Sequence, residues 1–218
     1  PCQTVGPTGE QFWGPDAAAD YDEWYAGIVN LREQCLDSIG YNGSIYDVKE
    51  IQWTQTAFMQ PQMHPYDLYF YTQEHGYNVK GWLADLNTRY GGIDAALVWP
   101  TYTNIGADDR SQFQLITSMP GGIDAITNFT KEMHAANVKV LWPYNPWDTG
   151  SYRDEQHRSD AGIMAWLCNA TNTDGFNGDT MGSVPEEFYQ AAINVGHPIA
   201  IEPEGGGIPQ SLNWDTMG

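Results

Sequence analysis

The chain has 218 residues, of which 41% are hydrophobic, and this is enough for one large domain around a packed core. Its 28 Asp and Glu residues against nine Lys and Arg give a net charge of −19, which would repel both nucleic-acid phosphates and anionic membranes. No apolar run approaches the ~20 residues of a membrane-spanning helix. We therefore expect neither a nucleic-acid partner nor membrane insertion.

The first predicted element is an amphipathic helix over residues 20–39. Its apolar residues recur close to i, i+4, i+7 and i+11 behind Asp20, which can cap the helix. We assign residues 1–48 to an N-terminal helical extension that packs on the domain formed by residues 49–218.

Short apolar runs alternate with helical patterns along the remainder of the chain. Runs that are nearly continuous in apolar residues are typical of strands buried on both faces of a parallel sheet. Helices are predicted between them, the first around residues 79–89, and the runs at 93–99 and 138–142 each stop at a proline. The predicted strands are 51–59, 93–99, 138–142, 174–178 and 198–201, with room for a sixth at the end of the sequence.

The connections favour a (β/α)8 barrel. Long polar loops follow the strands and short connections precede them, and the functional loops of such a barrel lie at the carboxyl ends of its strands, its mouth. A doubly wound sheet is the alternative, but the Gly-rich phosphate loop usual near its first strand is absent. Because a barrel has eight strands, we predict an α/β fold comprising the N-terminal half or more of a TIM-type barrel. The same polypeptide or another chain would supply the remainder.

Carboxylates follow two neighbouring predicted strands. Asp179 comes after the fourth strand, in the stretch D-G-F-N-G-D-T-M, and Glu202 and Glu204 come at the end of the fifth. Glycoside hydrolysis requires such a pair, because one carboxyl protonates the leaving oxygen and the other attacks the anomeric carbon or activates water. We predict these three residues as catalytic candidates.

Aromatic, amide and carboxylate side chains follow the earlier strands. Aromatic rings can stack on the apolar faces of sugar rings, while amides and carboxylates bind the hydroxyl groups. An oligo- or polysaccharide is therefore the expected partner. The predicted substrate-binding residues are His64, Trp99, Tyr102, Trp142, Asn145, Trp147, Asp148 and Asn177.

Three segments resemble the barrel domain of glycoside hydrolases of the broad alpha-amylase and alpha-galactosidase type: W-P-T-Y-T-N-I-G-A-D-D-R-S-Q-F, W-P-Y-N-P-W-D-T-G and D-G-F-N-G-D-T-M. The resemblance extends over about residues 50–205 and implies Asp179 as the nucleophile. An amylase-like arrangement implies Glu202 or Glu204 as the acid, whereas an alpha-galactosidase-like one implies Asp215. The sequence departs from the amylase pattern at Asn177, where an arginine is usual.

The cysteines and sequons favour a secreted or extracellular protein. In that setting Cys2 and Cys35 would form a disulfide and leave Cys168 buried and free, and three reduced thiols are the alternative. N-x-[ST] sequons predict glycosylation at Asn42, Asn128 and Asn169. No Cys/His spacing indicates zinc, so no metal or cofactor is predicted, although abundant oxygen ligands leave a Ca²⁺ site open.

Two hypotheses from different functional classes follow. The first is a secreted glycoside hydrolase with a carboxylate pair at the barrel mouth, in which Asp179 is the nucleophile and Glu202 the acid/base. The second is a non-catalytic carbohydrate-binding or structural glycoprotein built on a glycosidase-like barrel.

Overall fold

The computed structural model describes residues 14–15, 17–100, 102–103, 109–149, 156, 158–205 and 208–218. The strands are β1 (Gln62–Met63), β2 (Tyr71–Thr72), β3 (Gly76–Tyr77), β4 (Ala95–Val98), β5 (Lys139–Tyr144), β6 (Gly175–Gly178) and β7 (Ala200–Pro203). The α-helices are α1 (Tyr21–Ser38), α2 (Val79–Tyr90), α3 (Gln112–Thr117), α4 (Gly122–Ala135), α5 (Asp160–Thr171) and α6 (Glu186–Asn194). Short 3-10 helices span Ala18–Asp20, Ser44–Asp47, Gln52–Gln55 and Pro209–Asn213. None of the described helices is both long and apolar enough to cross a bilayer.

The main sheet has five strands in the order β1-β4-β5-β6-β7, and every neighbouring pair is parallel. Within this sheet, each strand lies beside the sheet strand that follows it in the chain. β2 and β3 form a separate antiparallel hairpin. Buried residues of α2, α4, α5 and α6 all belong to one core on one face of this sheet. A doubly wound sheet would carry helices on both faces. The predicted α/β class with part of a barrel is thus confirmed.

Alternation along β5 separates the two faces of the sheet. Val140, Trp142 and Tyr144 face the helices, within a core rich in aromatic rings such as Phe129 and Phe176. The opposite face, which we call the inner face, carries a smaller cluster of Ala95, Leu97, Trp99 and Leu141, against which Trp53 and Met217 pack.

Segments from both ends of the described chain cover the inner face. The backbone N–H groups of Thr216 and Met217 donate to the Ile201 carbonyl (2.9 and 3.2 Å), so residues 214–217 run beside β7 without forming a sixth strand. The Asn213 amide donates to the carbonyl of Ile39, just after α1 (3.1 Å). The N-terminal helix and the C-terminal segment are therefore tied to each other over the sheet.

The predicted strand at 51–59 is wrong. Residues Gln52–Gln55 form a 3-10 helix, and the first strand is Gln62–Met63. The apolar residues of this stretch cover the inner face of the sheet instead of forming a strand. Trp53 packs on the inner-face cluster, and the Lys139 ammonium lies over its ring, 5.8 Å from the ring centroid. The Asp94 carboxylate then accepts the backbone N–H groups of Phe58 and Met59 (both 2.9 Å) and holds the segment at the start of the sheet.

The predicted end of the third strand at Pro143 is also wrong, because β5 continues to Tyr144. The Lys139 N–H donates to the Asp94 carbonyl, so the odd-numbered residues of β5 direct their N–H groups toward β4. The pairing of β5 with β4 ends at Leu141. Pro143 lies beyond the paired part of β4, so no hydrogen bond to β4 is lost through the missing proline N–H.

A buried ionic cluster lies at the end of the sheet opposite the mouth. Asp174 accepts hydrogen bonds from the Lys139 ammonium (2.8 Å) and the Val140 N–H (2.9 Å), and it contacts His134 Nε2 at 2.6 Å. Burial would raise the pKa of Asp174, but His134 and Lys139 together lower it below its ordinary value. This carboxylate joins α4, β5 and the residue before β6.

The modification sites predicted from the sequence lie on the surface where they are described. Asn42, Asn128 and Asn169 are all exposed. Cys35 is disulfide-bonded and Cys168 is a buried free thiol. Cys2, the partner predicted for Cys35, lies outside the described residues.

Candidate functional site

Asp179 and Glu204 lie side by side at the mouth, directly after β6 and β7. The Asp179 N–H donates to the Tyr144 carbonyl (2.9 Å) and the Glu204 N–H to the Gly178 carbonyl (3.2 Å), which continues the ladder past the strand ends. Asn177 pairs with Glu202, so the same register places Asp179 opposite Glu204. Since neighbouring strands lie about 4.8 Å apart, the two carboxylates share one small region.

The charges of this pair interact. Partial burial, and then the negative charge of Glu204, raise the pKa of Asp179. The Trp147 indole and the Thr180 N–H act in the opposite direction and stabilise the Asp179 anion. A carboxyl whose pKa is raised by a like charge is the arrangement on which paired-carboxylate catalysis depends.

Thr180 explains how Glu204 is oriented. Its φ of 59° lies in the left-handed region, which a β-branched residue rarely adopts. In that conformation the Thr180 N–H donates to Glu204 Oε2 (2.7 Å). Strain of this kind persists only where the surrounding structure enforces it, and it concentrates at functional sites.

Close packing at β6 explains the two glycines that precede Asp179. A Cβ on Gly175 would lie 2.3 Å from the Ala200 carbonyl oxygen of β7. A Cβ on Gly178 would lie 2.9 Å from a methyl group of Val184 and 3.0 Å from the Met181 sulfur. These positions need glycine so that β7 and the loop after β6 can approach the strand.

A row of aromatic rings borders the pair. The Trp99 and Tyr102 ring centroids are 5.3 Å apart, and those of Tyr102 and Trp147 are 5.5 Å apart. Tyr102 and Trp147 are 42% and 38% exposed, whereas Trp99 is buried. Burial, followed by the charges of Asp179 and Glu204, raises the pKa of Tyr102, so its phenol lies within the electric field of the pair. The row thus offers two open rings beside two carboxylates.

Glu202 occupies a different position from Glu204. Its Oε2 accepts hydrogen bonds from the Gln60 amide (2.6 Å) and the Asn177 amide (3.2 Å), on the inner face. Gln60 is a residue that sequence reasoning missed, because the first strand was placed too early in the chain. Asn177 was predicted to bind substrate, and in the structure its amide donates to Glu202.

Two predicted substrate-binding residues, Asn145 and Asp148, are buried rather than open to the mouth. The Gln112 side chain accepts from the Asn145 N–H (2.7 Å) and donates to its carbonyl (2.9 Å). Asp148 Oδ2 accepts the Gln112 N–H (2.9 Å) at the start of α3. These bonds fix the loop that carries Trp147.

Some buried polar groups near the mouth have no hydrogen-bond partner within the described structure. They are the Trp99 indole N–H, the Thr103 hydroxyl and both side-chain atoms of the Asn145 amide. Proteins leave few such groups unpaired. These atoms have almost no contact with solvent, so they do not offer open hydrogen-bonding positions to a bound molecule. Thr103 was not predicted, and only its place after Tyr102 could have indicated it.

Two other predictions need correction. Trp142 does not line the mouth, because alternation turns its fully buried ring toward the helices, where its indole N–H donates to Thr173 Oγ1 (2.9 Å). His64 follows β1 as predicted, but at the edge of the sheet. There it lines a separate cavity of about 600 Å³ with Trp82 and Tyr90 of α2.

Among the residues that the structure describes, no group of three or more His, Cys, Asp or Glu side chains is arranged to hold a metal ion. The carboxylates at the mouth instead bond to amides and backbone N–H groups.

Comparisons with known proteins give similarity to solved structures. The maltogenic alpha-amylase of Thermotoga neapolitana is 18% identical, with a TM-score of 0.42 over 66% of this chain and 44% of that one. The alpha-amylase of Geobacillus thermoleovorans in complex with acarbose is 16% identical, with a TM-score of 0.44 over 69% and 46%. The isomaltulose synthase of Erwinia rhapontici is 12% identical, with a TM-score of 0.41 over 70% and 44%.

The chain thus spans less than half the length of these structures. No protein-family model matches the sequence, and no curated protein matches it.

Proposed function

We propose that the protein hydrolyses glycosidic bonds, with Asp179 and Glu204 as the catalytic pair. The observation that carries this proposal is the pair itself: two carboxylates in register after neighbouring strands, beside the open rings of Tyr102 and Trp147. Of the acids predicted from the sequence, Glu202, Glu204 and Asp215, we choose Glu204, because it lies opposite Asp179, whereas Glu202 Oε2 already accepts hydrogen bonds from two amides.

Neighbouring strand ends permit a retaining mechanism. Retaining enzymes hold their carboxyl groups about 5–5.5 Å apart, a separation that is within reach of two side chains on strands whose backbones lie about 4.8 Å apart. In this mechanism the Glu204 carboxyl protonates the leaving oxygen while Asp179 bonds to the anomeric carbon. Glu204 then takes a proton from water, which displaces Asp179 and frees the sugar.

The surroundings of each carboxylate support these roles. Asp179 is held by its backbone bond to Tyr144, and the Trp147 indole and the Thr180 N–H stabilise its anion against the partial burial and the Glu204 charge that raise its pKa overall. Glu204 is exposed, so the water molecule of the second step can reach it. Tyr102 and Trp147, whose rings are partly open to solvent, would stack on the sugar.

Kinetics of three variants test the proposal. Asp179→Asn should lower kcat by several orders of magnitude, because the amide cannot form the covalent intermediate. Glu204→Gln should impair hydrolysis most with poor leaving groups, since good ones need little protonation. Glu187→Gln, an exposed acid on α6, is the matched control and should retain activity. Full activity of Asp179→Asn, or no hydrolysis of any glycoside by the wild type, would disprove the proposal.

The exposed rings of Tyr102 and Trp147 also favour the second hypothesis, a carbohydrate-binding protein without turnover. In that case oligosaccharide binding, measured by calorimetry, would be lost in a Tyr102→Ala, Trp147→Ala double variant. The same binding would be unaffected by Asp179→Asn, and no product would form over long incubation.

We further propose an extracellular location. The disulfide at Cys35 and the exposure of all three sequon asparagines support it, because disulfides persist in oxidising compartments.

A further inference from the structure

A large cavity lies between α1, the inner face of the sheet and the C-terminal segment. Its volume is about 950 Å³, at the upper end of the range for small-molecule sites. Most of its wall is apolar, with Ile28, Leu31 and Leu36 from α1 and Leu212 and Met217 from the C-terminal segment. None of the 18 residues of α1 is fully buried, so the apolar face of this helix borders the cavity without filling it.

The cavity borders β7 beside Glu204. Glu202, Pro203 and Gly205 lie in its wall, on either side of Glu204 in the sequence. Glu202 also bonds to Asn177, two residues before Asp179, while its other partner, Gln60, lines the cavity. A molecule whose glycosidic bond lay between Asp179 and Glu204 could therefore extend into this apolar space.

We infer that the cavity binds the apolar aglycone of the substrate, so that the preferred substrates are glycosides of alkyl or aryl alcohols. This inference rests on the proposed function for its site of cleavage. Removing an alkyl or aryl group from water into an apolar wall is favourable in proportion to the area buried. A sugar chain, which carries hydroxyl groups on every ring, would leave them without partners along most of this wall.

A buried carboxyl group marks a polar point in the wall. Asp215 is 8% exposed, and the only donors near its carboxyl group, the Ser211 hydroxyl and the Val184 backbone, do not reach good hydrogen-bond geometry within the described structure. A phenolic or alcoholic O–H of the aglycone would supply a donor to such an acceptor. Arg32 and Glu202 are the other charged residues that line the cavity, both beside apolar neighbours.

Binding of hexyl and methyl glycosides of the same sugar, measured by calorimetry, tests the inference without requiring turnover. The hexyl glycoside should bind the wild type at least about tenfold more tightly, since two buried methylene groups account for that factor. Leu31→Gln should abolish this difference while leaving the affinity for the methyl glycoside unchanged. Tyr25→Gln, on α1 but outside the cavity wall, is the matched control and should behave as the wild type. Circular dichroism checks that both variants are folded.

Ile28→Gln serves as a second variant if Leu31→Gln fails to fold. Equal affinity of the wild type for both glycosides would overturn the inference, as would a loss in Leu31→Gln that affects both glycosides alike. Hexyl selectivity without any hydrolysis would support the cavity and refute the proposed catalytic function. Hydrolysis without hexyl selectivity would support the proposed catalytic function and refute the aglycone cavity.

Discussion

Replacing Asp174 by Asn should destabilise the protein far more than removing a surface ion pair. The Asp174 side chain is 10% exposed and contacts three groups, on His134, Lys139 and Val140. Hydrogen bonds to a charged group contribute about 1.5–3 kcal/mol each. Asn retains one acceptor oxygen, and the partly exposed His134 and Lys139 recover some hydration. We therefore expect a loss of about 2–4 kcal/mol, or roughly 5–15 °C in Tm.

Urea unfolding followed by tryptophan fluorescence measures this loss, and its pH dependence tests the cause. The pKa of Asp174 is lowered in the folded state, so its contribution is present above the ordinary aspartate pKa of 3.8. It is lost as pH falls through the lowered value. The difference between wild type and Asp174→Asn should therefore be full at pH 7 and shrink below about pH 4.

Asp85→Asn is the matched control, since it breaks the exposed i,i+4 pair with Arg89. This change should have little effect on stability, because solvent screens an exposed ion pair. If Asp174→Asn costs no more than this control, or if its cost does not change with pH, the ionic explanation is refuted.

Four further predictions follow from other parts of the structure. In carboxyl NMR titrations, Glu204→Gln should lower the pKa of Asp179 by removing a like charge, whereas Trp147→Phe should raise it by removing a hydrogen-bond donor. An unchanged pKa of Asp179 in both variants would contradict its interaction with Glu204 and Trp147. Burial raises the pKa of Asp215 to about 6, so its ionised form destabilises the fold as pH rises through that value. Asp215→Asn should therefore stabilise the protein by about 1–3 kcal/mol at pH 8 and have no effect below pH ~4, as thermal unfolding would show. Gly175→Ala should cost more than about 3 kcal/mol because its Cβ meets a backbone carbonyl, whereas Gly182→Ala, with nothing within 4 Å, should be nearly neutral in the same unfolding assay. Intact-mass analysis should show a glycan on protein from its native source, with Asn42 as the first candidate, and an unchanged mass after deglycosylation would remove that argument for secretion.

The sheet could be predicted because its strands carry their own signal. β4, β5 and β7 lie in short apolar runs between helical patterns, β6 lies in the stretch D-G-F-N-G that follows a helix, and all four appear within a few residues of their predicted positions. β1 escaped prediction because it has only two residues, Gln62 and Met63, and its pairing depends on β4 rather than on its own composition. The aromatic stretch before it looked like a strand because a segment that covers a sheet needs the same apolar residues as a strand within it.

The site could be predicted only to the level of strand ends. The positions of Asp179, Glu204, Tyr102 and Trp147 follow from which loops come after which strands. The burial of Trp142 follows from the two-residue period of β5. Val140, Trp142 and Tyr144 lie on the same face of the strand, and this pattern could have been read from the sequence. The burial of Asp148 depends on Gln112, 36 residues away, and no local pattern reveals such a contact.

Residue type alone could not show which of Glu202 and Glu204 lies beside Asp179, because the backbone conformation determines it. Both glutamates lie on the same face of the sheet, and each follows a residue that is paired with β6. They differ in their hydrogen bonds. Glu202 accepts hydrogen bonds from the side-chain amides of Gln60 and Asn177, whereas Glu204 accepts one from the backbone N–H of Thr180, a residue in the left-handed conformation. That conformation arises where the loop after β6 must turn over Gly178, against Val184 and Met181. The glycine before Asp179 and the strained threonine after it therefore act together, and they bring the neighbouring carboxylate into the pair.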